Sequence, residues 1–273
     1  MSRIQATFSE LQAQERQALI PFITAGDPNL EVTLSLMHQL VDAGADIIEL
    51  GVPFSDPLAD GPTIQRSYDR ALVNHVSLTA VLTLVEQFRV KNSTTPVVLM
   101  GYMNPIERMG SDRFVASCKA VGVDGVLVVD LPPEECEALT EALHAQSIDT
   151  IFLLTPTTSD ARAQSICRHS SGYVYYVSIK GVTGANTLNV EDVAHHVARL
   201  RQATDLPIAV GFGIKSAADA QAVARVSDGV IVGSALINLL AEAPERSAAQ
   251  VTAEAAALIK AMREGMDTAK SAV

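Results

Sequence analysis

Eight short apolar, β-branched runs recur along the 273 residues of this chain, each followed by a Gly, Pro, Asp or Ser turn and then a segment of helical periodicity. The strand candidates are Leu19 to Ala25, Asp46 to Val52, Pro96 to Tyr102 and Gly125 to Leu131, then Thr150 to Pro156, Tyr173 to Ile179, Pro207 to Gly213 and Gly229 to Ala235. Runs this apolar need cover on both faces, which a parallel sheet sheathed by helices provides. Eight such repeats predict the α/β class and, within it, a closed (β/α)8 TIM barrel. A doubly wound open sheet is the competing architecture. It is disfavoured because the turn after the first strand, AGDPNL, lacks the GxGxxG pattern, while glycines gather at the seventh and eighth strands. No linker or low-complexity stretch interrupts the pattern, so a single domain over 1–273 is expected, with Ser2 to Gln14 as an extra N-terminal helix against the barrel floor.

The intervening segments carry helix signals. Asp27 is the expected N-cap of the first, ahead of Pro28, with Leu30, Leu34, Met37 and Val41 on one stripe and Gly44 at the C-terminal stop. Leu78, Val81, Val85 and Phe88 repeat the spacing in a later segment.

A net charge of -11 without any basic run argues against a nucleic-acid partner. Cys118, Cys136 and Cys167 are odd in number and far apart, which suggests neither a disulfide framework nor a zinc site and fits a reducing cytosol. The first residues lack the apolar run of a signal peptide, and no 18-residue uncharged apolar stretch occurs, so a cytoplasmic protein without a membrane partner is expected.

Glu49 stands inside the apolar run IIELGV, and the loop that follows delivers a second carboxylate, Asp60. Active sites of such barrels lie at the C-terminal ends of the strands. Either Glu49 pairs with a nearby base and Asp60 caps the next helix, or the two converge on one pocket as an acid/base pair. An apolar setting raises a carboxyl pKa towards neutrality, which suits proton exchange. Gly213, Gly233 and Ser234 end strands seven and eight and open helices, the place where barrels bind phosphate through backbone N–H groups. Ordinary tight turns are the other reading of these glycines. Gly181 and Gly184 in KGVTGANT suit a lid. Phe22, Met100, Leu127, Leu153, Tyr175 and Phe212 lie towards the mouth and read either as plain core or as the wall of a flat, hydrophobic site. Lys180 lies past its strand in the glycine-rich loop, and none of the six histidines falls at a strand C-terminus, so neither a Schiff base nor a metal is expected. Cofactor-free proton transfer on a small phosphorylated molecule is the chemistry that remains.

The block ELGVPFSDPLADGP, with LIPFITAGDP before it and SIKGVTGA, VGFGI and VGSA after it, resembles the tryptophan synthase alpha subunit family from about Leu19 to Leu240. The resemblance implies retro-aldol cleavage of indole-3-glycerol phosphate to indole and glyceraldehyde 3-phosphate, and a pyridoxal-phosphate beta subunit as partner in an assembly of two alpha and two beta chains. This chain itself would hold no cofactor. By the same resemblance Glu49 is the acid/base and Asp60 accepts the indole N–H. Tyr175 packs beside Glu49, and Phe22, Met100, Leu127 and Phe212 flank the indole. Thr183 closes the lid against Asp60, and Gly184, Gly213, Gly233 and Ser234 hold the phosphate. Two positions depart from the family pattern: Met100 for leucine, and Asn186 for arginine in the lid. A stand-alone lyase releasing free indole and a non-catalytic regulatory barrel are the alternatives.

Overall fold

The computed structural model describes residues 1–178, 189–211, 213–243 and 245–268. Its strands are β1 (Ala18–Thr24), β2 (Ile48–Gly51), β3 (Val97–Gly101), β4 (Gly125–Val128), β5 (Asp149–Thr150), β6 (Leu153–Leu154), β7 (Val174–Val177), β8 (Ile208–Gly211) and β9 (Gly229–Val232). All pairs are parallel, in the order β5-β4-β3-β2-β1-β9-β8-β7-β6. The two ends of that order are consecutive in the chain. The backbone N–H of Ile151 donates to Val126 at 3.0 Å, and Tyr175 donates to Phe152 at 3.1 Å. The stretch 149–154 therefore borders β4 with its first half and β7 with its second, and the TIM barrel closes there. The expected strand Thr150 to Pro156 is corrected to these two short pieces, because each half pairs on a different side.

The helices are α1 (Arg3–Ala13), α2 (Leu30–Asp42), α3 (Pro62–Val73), α4 (Leu78–Arg89), α5 (Met103–Met109), α6 (Ser111–Val121), α7 (Glu137–Ala145), α8 (Asp160–His169), α9 (Val190–Leu200), α10 (Ala217–Ala224), α11 (Ser234–Leu240) and α12 (Ala248–Thr268). No single described helix is long and apolar enough to cross a membrane. In α2 the N-cap is Asn29, whose side chain accepts from the Val32 N–H, and not Asp27. Asp27 is buried and takes two hydrogen bonds from Arg70 of α3 at 2.8 and 2.7 Å, so a carboxylate adjacent to a helix start serves a tertiary ion pair instead. The buried stripe of α2 is also rotated: Leu36, Met37 and Leu40 are fully buried, while Leu30, Leu34 and Val41 pack at its edges. Leu78, Val81, Val85 and Phe88 of α4 are all buried, as their spacing predicts.

Strand alternation divides the barrel into an inside and an outside. Ala18, Ile20, Ile47, Val98, Leu127, Ile151, Tyr173, Ala209 and Ile231 form one interior cluster, into which Ile4, Phe8 and Leu11 of α1 insert from below. The N-terminal helix is thus the floor of the barrel. Ser2 caps it in a capping box with Gln5, and Arg3 ties it to Asp124 at 2.7 Å.

One device recurs four times at that floor. A residue one to three positions ahead of every second barrel strand, Asp46, Asp124, Ser171 or Asp228, donates its N–H to the carbonyl of Leu19, Val97, Thr150 or Ile208 on the strand before it, at 2.8 to 3.0 Å. Its side-chain oxygen accepts the N–H of that same residue, at 2.8 or 2.9 Å. Three of the four are charged and are met by arginines: Arg263 for Asp46, Arg89 and Arg3 for Asp124, and Arg201 for Asp228. The strand starts are therefore registered in pairs, which positions their other ends at the mouth.

Candidate active site

Glu49 is one of the inward positions. Its register partners are Phe22 on β1 and Val98 on β3, and Gly51, two residues on, is level with Met100. The remaining inward residues pair in kind: Met100 with Leu127, Leu153 with Tyr175, and Tyr175 with Ala209. Phe22, Met100, Leu127, Leu153 and Tyr175 thus share the barrel interior with Glu49. Phe22 and Leu127 are buried deep, whereas Met100, Leu153 and Tyr175 are half-buried and face the opening. Val129, at the same parity beyond Leu127, joins them; its alternation with Leu127 was the signal for it.

Glu49 is 0% exposed, and among the described residues neither of its oxygens has a hydrogen-bond partner. Among the described residues it pairs with no base. Burial pushes its carboxyl up to about 8, and the nearby charge of Asp60 adds to the rise. Asp60 does not cap α3, whose N-cap is Gly61 with no side-chain bond. Its Oδ2 instead accepts the Tyr102 hydroxyl at 2.6 Å, and that hydroxyl accepts the Ala59 N–H at 3.2 Å. Gln65 of α3 donates to the Asp60 carbonyl at 2.8 Å. The loop is therefore pinned from both sides of the carboxylate. Burial raises the Asp60 carboxyl, and the Tyr102 hydrogen bond opposes that rise. Two neighbouring carboxyls thus occupy different settings: one neutral at neutral pH in an apolar shell, the other supplied with a donor. Tyr102 was not legible as a site residue, since nothing in YMNP distinguishes it from core.

Tyr175 lies over Gly211 on the neighbouring strand, where a Cβ would overlap its ring. Burial and the charges of Glu49 and Asp60 hold its hydroxyl well above the usual phenol range. In the loop that carries Asp60, Pro53 and Pro57 are buried, because the loop folds back on Tyr102 and Gln65, whereas Leu58 is exposed, at 91%.

Gly233 is the N-cap of α11, which starts at Ser234 with no capping side chain. Gly213, at φ +79°, has no atom within 4 Å of where a Cβ would stand. It does not open a helix directly: α10 begins at Ala217, behind a capping box in which Asp219 accepts the Ser216 N–H and Ser216 accepts the Asp219 N–H. Lys180, Gly181, Thr183, Gly184, Asn186 and Phe212 lie outside the described residues. Among the described residues no group of three or more His, Cys, Asp or Glu side chains is placed to hold a metal ion.

The model of the family "Tryptophan synthase alpha chain" matches residues 8–267. A tryptophan synthase alpha chain from Ralstonia nicotianae is 56% identical over 267 residues, covering 98% of this chain and 100% of the relative. The crystal structure of tryptophan synthase subunit alpha from Legionella pneumophila superposes with a TM-score of 0.90 at 44% identity, covering 98% of this chain and 99% of that one. A chain of the tryptophan synthase complex from Pyrococcus furiosus is similar at a TM-score of 0.80 and 38% identity, covering 90% and 98%. Matched in sequence and fold over nearly its whole length, the chain belongs to the tryptophan synthase alpha chain family, the lyases that cleave indole-3-glycerol phosphate.

Proposed function

We propose that Glu49 and Asp60 divide the proton work of this lyase reaction between them. Glu49 starts as the neutral acid and gives its proton to the indole carbon that carries the glycerol chain, while the Asp60 carboxylate accepts the indole N–H and stabilises the positive charge on the ring. The Glu49 carboxylate then takes the proton of the adjacent side-chain hydroxyl. The carbon–carbon bond breaks, its electrons restore the indole, and the hydroxyl carbon becomes the aldehyde of glyceraldehyde 3-phosphate. Glu49 ends protonated as it began, so no cofactor is consumed in this chain. Phe22, Met100, Leu127, Leu153, Tyr175 and Phe212 would flank the ring, and Gly184, Gly213, Gly233 and Ser234 would hold the phosphate, with Thr183 closing over Asp60.

The observation that carries this reading is the fully buried carboxyl of Glu49, unpartnered among the described residues, beside an Asp60 that has its own donor. Leu58, exposed on the Asp60 loop, supports docking of a pyridoxal-phosphate beta subunit there, in an assembly of two chains of each kind that receives the indole. The test is indole formation from indole-3-glycerol phosphate, with and without a beta subunit. Glu49→Gln is expected to lower turnover by roughly 10² or more in both settings, and the beta subunit to raise the parent's rate. Near-normal turnover in the Gln variant would remove Glu49 from the chemistry.

A further inference from the structure

The loop that carries Asp60 runs from the end of β2 to the start of α3, and Tyr102, directly after β3, touches it at three places. Its ring lies against that of Phe54 near the loop's beginning, with centroids 5.1 Å apart. Near the loop's end its hydroxyl accepts the Ala59 N–H at 3.2 Å and stands 2.6 Å from Asp60 Oδ2. A backbone N–H can only donate, so it occupies a lone pair of that hydroxyl and leaves the tyrosine proton to the carboxylate. Between these contacts Ser55, Asp56 and Leu58 are exposed. A stretch with so little burial of its own does not hold a carboxylate in one place, whereas Tyr102 is buried and fixed from the strand side. Val52 donates its N–H to the Met100 carbonyl at 2.8 Å, which carries the end of β2 along β3, and Met103 donates its N–H to Asp130 Oδ1 at 2.8 Å. Tyr102 therefore grips both ends of the loop from a rigid base.

We infer that Tyr102 is a positioning residue for Asp60, which holds Oδ2 and leaves Oδ1 for the ring N–H of the substrate. The inference rests on the reading of Asp60 as acceptor of the indole N–H. Among the described residues the hydrogen bond to this carboxylate comes from Tyr102 and reaches Oδ2 alone. A donor on one oxygen favours the ionised form and fixes the plane of the group, so the second oxygen meets the ring in a set direction. The other charged and titratable groups facing the pair are Glu49 on β2, Tyr68 on α3, Tyr175 on β7 and Asp130 after β4. Burial and the Asp60 carboxylate hold the Tyr102 phenol above its ordinary range, so it keeps the proton that it donates.

The experiment compares the binding of two ligands to the full chain assembled with a beta subunit: an indol-3-ylpropyl phosphate and its benzothiophene counterpart, which has nearly the same shape without the N–H. The parent is expected to prefer the indole ligand by about tenfold or more. In Tyr102→Phe, which keeps the ring against Phe54 and removes the hydroxyl, that preference should shrink by about five- to tenfold. Binding of glycerol phosphate, which has no ring, should equal the parent's and shows that the variant is folded. In the same variant the acid limb of the kcat/KM profile should rise by roughly one pH unit, because a carboxylate that loses a donor has a higher pKa. The alkaline limb, which belongs to Glu49, should stay in place. A preference equal to the parent's overturns the inference and makes Tyr102 a packing residue, whatever its melting temperature. A parent that binds both ligands equally overturns the reading of Asp60 as N–H acceptor, and the inference with it, so the two failures are told apart.

Discussion

A carboxyl such as Glu49 couples the stability of this protein to pH. Its native pKa is about 8 against an ordinary value of 4.5, so between those limits the unfolded chain has lost a proton that the native protein keeps. The unfolded state binds fewer protons there, and stability must fall as pH rises from about 4.5 to about 8. Glu49→Gln removes this dependence. Its melting temperature relative to the parent should therefore climb across the window, by roughly 4 °C or more between pH 5 and pH 9. A constant gap at both pH values would mean that Glu49 is not held neutral. The residue was legible in the sequence because a lone glutamate in an Ile-Ile-Glu-Leu strand conflicts with its surroundings. Tyr102 was not, since a tyrosine beside an apolar strand conflicts with nothing.

At the scale of elements, the barrel floor and mouth carry different burdens. The floor is registered by Asp46, Asp124, Ser171 and Asp228, and Asp124 is the most heavily used, serving the Val97 N–H together with Arg89 and Arg3. Asp124→Ala strands the largely buried Arg89 and the Val97 donor. Breaking such a pair costs about 3–5 kcal/mol, expected as a drop of roughly 10 °C in melting temperature with kcat/KM unchanged at permissive temperature. A loss of activity without loss of stability would contradict the assignment of the floor to folding. The loop after β2 is the counterpart at the mouth. Its buried prolines, its bond to Tyr102 and its bond to Gln65 position Asp60, and none of these contacts could be placed from the sequence.

For the whole molecule, the proposed phosphate site and the proposed partner surface meet through that loop. If docking at Leu58 fixes the loop and a phosphorylated ligand favours the same closed arrangement, each must tighten the other by the same factor. Titrating the beta subunit by calorimetry with and without glycerol phosphate should show tighter binding in its presence, by about 5- to 150-fold. Gly233→Asp should abolish the difference by placing a carboxylate at the start of α11, where an anion would sit. Equal affinities in both titrations would uncouple the two surfaces and return Leu58 to an ordinary exposed residue.

The sequence by itself determined the barrel, because hydrophobic period is a local property and eight strand–helix repeats admit few closures. It also put Phe22, Met100, Leu127, Leu153 and Tyr175 towards the mouth, as core or as site wall, and the strand register brings all of them to the inward side with Glu49. What only the tertiary structure decided are the partners. Asp27 reads as a helix cap and is an ion pair with Arg70; Asp60 reads as a cap or a catalyst and is held by Tyr102, 42 residues away. The fifth strand reads as one run and is split between two neighbours. Each of these depends on which side chain from a distant element arrives within hydrogen-bonding reach, and that follows from the curvature of the closed sheet rather than from any pattern along the chain.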